Sequence, residues 1–198
     1  MIDHYRDLLQ RYGWLGDHIC WIVVRPLDEG LTVDDVLWRL NGGRDPEHRV
    51  MAFPREEAAM EEERPVFLVH EDEGAWGLLE FSLGYAVPDD VLARVSEDVQ
   101  FWMVTWHFNG GATVLYAAGG RVRAWMRDFV LSGQRREGGD PDVLAGFRAL
   151  LDALGPEDHD GRRAAALAFV EQATGVGIER DCMDVEDAPV VILGDPVA

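Results

Sequence analysis

Apolar and polar positions alternate along this chain in two rhythms, one helical and one strand-like. Ile2, Tyr5, Leu8, Leu9 and Tyr12 recur every three or four residues, the spacing of one helix face, so a helix is predicted over 2–12, ending near Gly13. "HICWIVVR" is apolar at consecutive positions and reads as an inner strand covered on both faces. Pro26 closes it, because proline cannot donate to the ladder. "TVDDVLWRLNGG" carries Thr32 with Asp35 three residues on, a capping box. Val33, Val36, Leu37 and Leu40 form its apolar face, and Gly42 is placed to end it in a left-handed turn.

Residues 43–64 show no strong apolar face and cluster glutamates. They read as a mobile acidic excursion holding at most a short helix from Pro54. A hairpin follows, with strands over 66–71 and 75–82 and an acidic turn at Gly74. Pro88 opens a short helix to Glu97. Three strands at 99–108, 112–118 and 121–127 form a meander. A helix over 142–154 carries a Leu/Phe stripe, and a second ends at Gly175. An acidic tail, 179–198, contains one apolar run, "APVVIL". Tight turns between successive strands imply antiparallel pairing. The predicted class is α+β, a single domain with a mostly antiparallel sheet of about six strands, 19–25 included, covered by amphipathic helices.

The meander raises the question of function. Alternation puts Trp102, Val104, Trp106 and Phe108 on one face. A three-residue NGG loop would set Trp106 opposite Val114 and Val104 opposite Tyr116. A two-residue turn at Gly119-Gly120 would then set Tyr116 opposite Arg123 and Val114 opposite Trp125. One face would so gather Trp106, Tyr116, Arg121, Arg123 and Trp125, residue types that dominate binding hot spots. The alternative is that the C-terminal helices cover the rings and leave the arginines at the rim.

"HICWIVVRPLDEGLTVDDVLWRLNGG", "GAWGLLEF", "YAAGGRVRAW" and the closing "EQATGVGI" together resemble a family of uncharacterised actinobacterial proteins, a domain of unknown function. The resemblance spans most of 18–178, with Pro26 standing where the family usually has glycine. It implies an intracellular actinobacterial setting and carries no activity or catalytic residue.

Composition narrows the chemistry. All 18 basic residues are arginine, so no lysine is present to form a Schiff base or serve a P-loop. The net charge of −19 repels phosphate backbones and anionic lipid, excluding direct nucleic-acid and membrane-surface binding and favouring a basic protein partner. Cys20 and Cys182 are far apart in a chain read as cytoplasmic, where pairing is not expected. The six histidines form no HExxH pair, and "VHEDE" reads as a solvated hairpin turn. Ser82, Ser96 and Ser132 lie outside any GxSxG elbow. Glu80 lies between Leu79 and Phe81 and reads as edge-facing; turned inward, it would need a partner. No catalytic residue, metal or cofactor is assigned. The reading is a non-catalytic binding or regulatory protein of the immunity or accessory-subunit type. A small-molecule sensor and an enzyme with a carboxylate/His site near Glu80 and His107 stand as alternatives.

Overall fold

The computed structural model describes residues 1–61, 64–72, 74–82, 87–109, 111–131 and 133–194. Expectations for Glu73, Ser132 and the last four tail positions lie outside them. Helix α1 (Ile2–Arg11) runs into the short α2 (Gly13–Asp17) and strand β1 (His18–Pro26). Helix α3 (Val33–Leu40), β2 (Glu47–Met51), α4 (Pro54–Ala58) and the hairpin β3 (Val66–Asp72) and β4 (Ala75–Glu80) follow. Then come α5 (Asp89–Val95) and the strands β5 (Val99–His107), β6 (Ala112–Ala118), β7 (Val122–Arg127) and β8 (Arg136–Gly139). Helices α6 (Ala145–Asp152), α7 (His159–Thr174) and α8 (Arg180–Met183) precede the last strand, β9 (Ala188–Ile192).

The strands form one open sheet ordered β2-β9-β3-β4-β1-β5-β6-β7-β8, antiparallel at every pairing. β1 lies at the centre, which explains its unbroken apolar run: each face must meet a helix layer. Trp21, Val23, Trp102, Val104, Val114 and Met126 occupy one face and pack with α1, α6 and α7. Cys20, Ile22, Val24, Phe101, Leu115 and Leu78 occupy the other and pack with α3 and α5. Thr32 caps α3 with the reciprocal Asp35 bonds of a capping box. Gly175 ends α7 in the left-handed conformation.

The sheet is larger than the six strands predicted, by β2, β8 and β9. β9 is the apolar run of the acidic tail, inserted between β2 and β3. The stretch read as an acidic excursion therefore supplies a sheet strand, β2, whose Met51 is fully buried. Two of its acids are tied to arginines: Arg49 bonds Glu47 and Glu61, and Arg64 bonds Glu47 at 2.7 Å. These pairs are partly exposed and each contributes little on its own. The two cysteines are free.

Candidate functional site

The meander does not present the single Trp/Arg face expected of it. The β5–β6 register is offset by two residues from the expected one, with Trp106 opposite Ala112 and Trp102 opposite Tyr116. An even offset keeps every face. Between β6 and β7 the Gly119-Gly120 turn forms with both glycines at positive φ, and Ala117 meets Val122 as the turn requires. Tyr116 then meets Ala124, not Arg123. Arg123 is the extra residue of a β-bulge, and one inserted residue reverses every side chain beyond it. Trp125 therefore opposes Leu115 on the α3/α5 face, away from Trp106 and Tyr116.

Each of these residues has a defined setting. Trp106 is buried, its indole N–H donating to the Leu15 carbonyl at 2.7 Å. Tyr116 is half-buried against Trp102, ring centres 4.4 Å apart. Trp102 continues into a row of rings, Phe169, Phe147 and Phe129, supplied by α7, α6 and the β7–β8 connection. The C-terminal helices thus close over this face. Trp125 is half-buried against Gly138, with the Arg127 guanidinium 5.1 Å from its ring centre. Arg123 donates its Nε–H to the Ala118 carbonyl at 2.9 Å, and Arg121 is exposed in the turn.

Unabsorbed polar chemistry gathers instead at the sheet end where β1 begins and β4 and β5 finish. His18 faces His107 in the ladder. Its Nε2 is buried with no hydrogen-bond partner among the described residues, and its ring lies 5.6 Å from that of Trp14. Burial, then the His107 and Arg55 charges, hold its pKa below the ordinary imidazole value. Glu80 is buried at this end, not edge-facing as the sequence suggested, because the α3/α5 layer covers its face of the sheet. The Ser82 hydroxyl donates to Glu80 Oε1 at 2.8 Å and accepts from the Val66 N–H at 3.1 Å. With its proton and a lone pair so committed, Ser82 ties β3 to β4 and is not poised as a nucleophile.

Two adjoining hollows flank this cluster. One, of about 290 Å³, is lined by Tyr12, Trp14, Phe53, Arg55, Glu56, Asp184 and Glu186 among others. The second, of about 400 Å³, shares Arg55, Glu56 and Phe81 with it and reaches His18 and Ser82. Three carboxylates and one guanidinium line the first, and Arg11 pairs with Asp184 from outside the wall at 3.3 Å. Arg55 spends its cation on the Trp14 ring, 5.1 Å from its centre. The Tyr12 hydroxyl donates to Asp184 at 2.5 Å, a bond that raises the phenol pKa. Glu56 and Glu186 make no ion pair among the described residues. Phe53, 56% exposed, stands at the rim.

This cleft escaped sequence reading because its walls come from the α1–α2 junction, α4, the end of β4 and the α8–β9 connection, with no local motif to join them. No group of three or more metal-ligating side chains assembles among the described residues, and no helix among them is long and apolar enough to cross a membrane. No protein-family model matches the chain, no curated protein matches it in sequence, and no solved structure matches its fold.

Proposed function

We propose that the protein works by binding, without catalysis, a basic segment of a partner protein, and that the end-of-sheet cleft receives an arginine or lysine side chain from it. The observation that carries this reading is the convergence of Glu56, Asp184 and Glu186 with Tyr12, Trp14 and Phe53. Carboxylates supply charge-assisted bonds to a cation, and aromatic faces supply the apolar and cation–π contact around its stem. Arg55 on Trp14 and Arg11 near Tyr12 are internal examples of the same contact. The net charge of −19 supports the same partner chemistry at long range, by steering encounter. Arg123 and Trp125, on the opposite face, and Arg121, in its turn, lie outside this contact.

The test is capture from the native host followed by association kinetics at low and high salt. Association slows as salt screens the acidic surface. Trp14→Ala speeds dissociation about thirtyfold, the effect of losing a hot spot of about 2 kcal/mol. Kinetics indifferent to both salt and Trp14 would refute the reading, as would turnover of a small metabolite by the isolated protein.

A further inference from the structure

A separate cavity of about 180 Å³ opens at the same end of the sheet, between the β5–β6 and β7–β8 connections and the first turn of α7. Arg163, His107 and His159 line it. The one carboxylate among the described wall residues, Asp128, is already held by Arg136 at 2.6 and 3.2 Å. Arg163 reaches Asp160 through Nη1 at 3.0 Å, while its Nε–H is buried with no partner among the described residues. Burial of that N–H without an acceptor costs free energy, so a turn of the guanidinium that brings it to a ligand oxygen in the cavity is favoured.

The His107 ring accepts from the Asn109 N–H at Nδ1, 3.3 Å away. A neutral ring so held carries its proton on Nε2 and is a donor there. Behind the wall, Arg162 is only 4% exposed. Its guanidinium donates to the Phe129 and Leu151 carbonyls, at 2.8 and 3.5 Å, and bonds no carboxylate among the described residues. That second cation adds to the positive potential of the pocket.

The rest of the lining is apolar, with Trp106 at the base and Phe108 and Leu131 at the mouth. Phe108 and Leu131 are 65% and 43% exposed, and the Phe108 ring lies against that of His107, centres 4.3 Å apart. The volume falls below the roughly 300–1,000 Å³ of drug-sized pockets, so the occupant is compact.

We propose that this cavity binds a compact apolar group bearing a single carboxylate, the carboxylate on Arg163 and the histidines and the apolar body against Trp106, Phe108 and Leu131. A free small organic acid and the C-terminal residue of a peptide share this chemistry, and the experiment separates them. The full-length protein is titrated, by calorimetry and amide chemical shifts, with phenylacetate, phenylacetamide, N-acetyl-Gly-Phe and its C-terminal amide. The acids bind at this cavity, and each amide is weaker by about tenfold or more, the loss of a charge-assisted bond. Tighter binding of the peptide acid assigns a peptide C-terminus; tighter binding of phenylacetate assigns a free acid. Arg163→Gln abolishes the preference for acid over amide, and Arg163→Lys restores part of it. Leu131→Asp, at an exposed position, places a carboxylate at the mouth and lowers acid affinity without loss of fold. No saturable binding of either acid, equal affinity of acid and amide, or an acid preference unchanged in Arg163→Gln and Leu131→Asp would overturn the assignment.

Discussion

Replacing Phe147 by alanine probes whether the tryptophan-bearing face of the sheet is core. Phe147 has no exposed surface. Its ring lies 5.2 Å from Phe129, edge-on, and 5.5 Å from Phe169, stacked; Phe169 in turn meets Trp102 edge-on at 5.6 Å. Removing the ring forfeits its burial and leaves a cavity between α6, α7 and the sheet, a loss of about 3–5 kcal/mol for a buried phenylalanine. Both aromatic contacts go with it, and such pairs contribute about 0.5–1.5 kcal/mol each beyond area. For a domain of this size the Tm falls by about 2–4 °C per kcal/mol, so a drop of about 6–20 °C is expected. Urea unfolding followed by tryptophan fluorescence and by far-ultraviolet circular dichroism measures the change, with coincident transitions securing the two-state treatment. Phe147→Leu, which keeps most of the volume, serves as the control and costs less. A change below about 0.5 kcal/mol, the size of a surface substitution, would mean that the C-terminal helices do not seal this face and that the rings are free to act as a platform.

Two further outcomes follow from packing and titration. Gly77→Ala destabilises the protein by about 1–3 kcal/mol through overpacking, because an added Cβ would stand 2.4 Å from both the His70 and Trp21 rings; denaturation midpoints report it, and an unchanged midpoint would place those rings elsewhere. Burial holds the His18 and His70 imidazoles below their ordinary value of 6.5. The unfolded chain then takes up protons first, so stability is full above about pH 6.5 and declines as pH falls toward the folded values. His70→Phe, which preserves the stack on Trp21, flattens that decline in urea titrations at stepped pH; an unaltered slope would assign the dependence to other groups.

Much of the fold was legible because it is written locally. The capping box at Thr32, the paired positive-φ glycines at Gly119-Gly120 and the terminal Gly175 each act within a few residues, and each forms as read. The double-sided apolar run of β1 announced a central strand. What failed depended on distant partners or on one extra residue. β2 and β9 pair across more than a hundred positions, so the short exposed "EHRVM" and the run within the acidic tail looked like loop until each found the other. The Arg123 bulge leaves no mark in the alternation of "RVRAWM", yet it decides which layer Trp125 joins. The cleft of Tyr12, Trp14, Phe53, Glu56 and Asp184 draws on four separate elements. Its residues were visible individually and meaningless as a set until the sheet end brought them together.

Fluorescence anisotropy of a labelled, short arginine-containing peptide, measured against its citrulline counterpart at low and high salt, tests the proposed recognition of a basic side chain most directly. Citrulline keeps the shape of arginine and removes its charge. The arginine peptide binds, the citrulline peptide binds at least about tenfold more weakly, and salt erodes the difference. Trp14→Ala and the Glu56→Gln/Glu186→Gln double variant each weaken the arginine complex. Equal affinity for the two peptides, or arginine binding untouched by both variants, would contradict the proposed recognition.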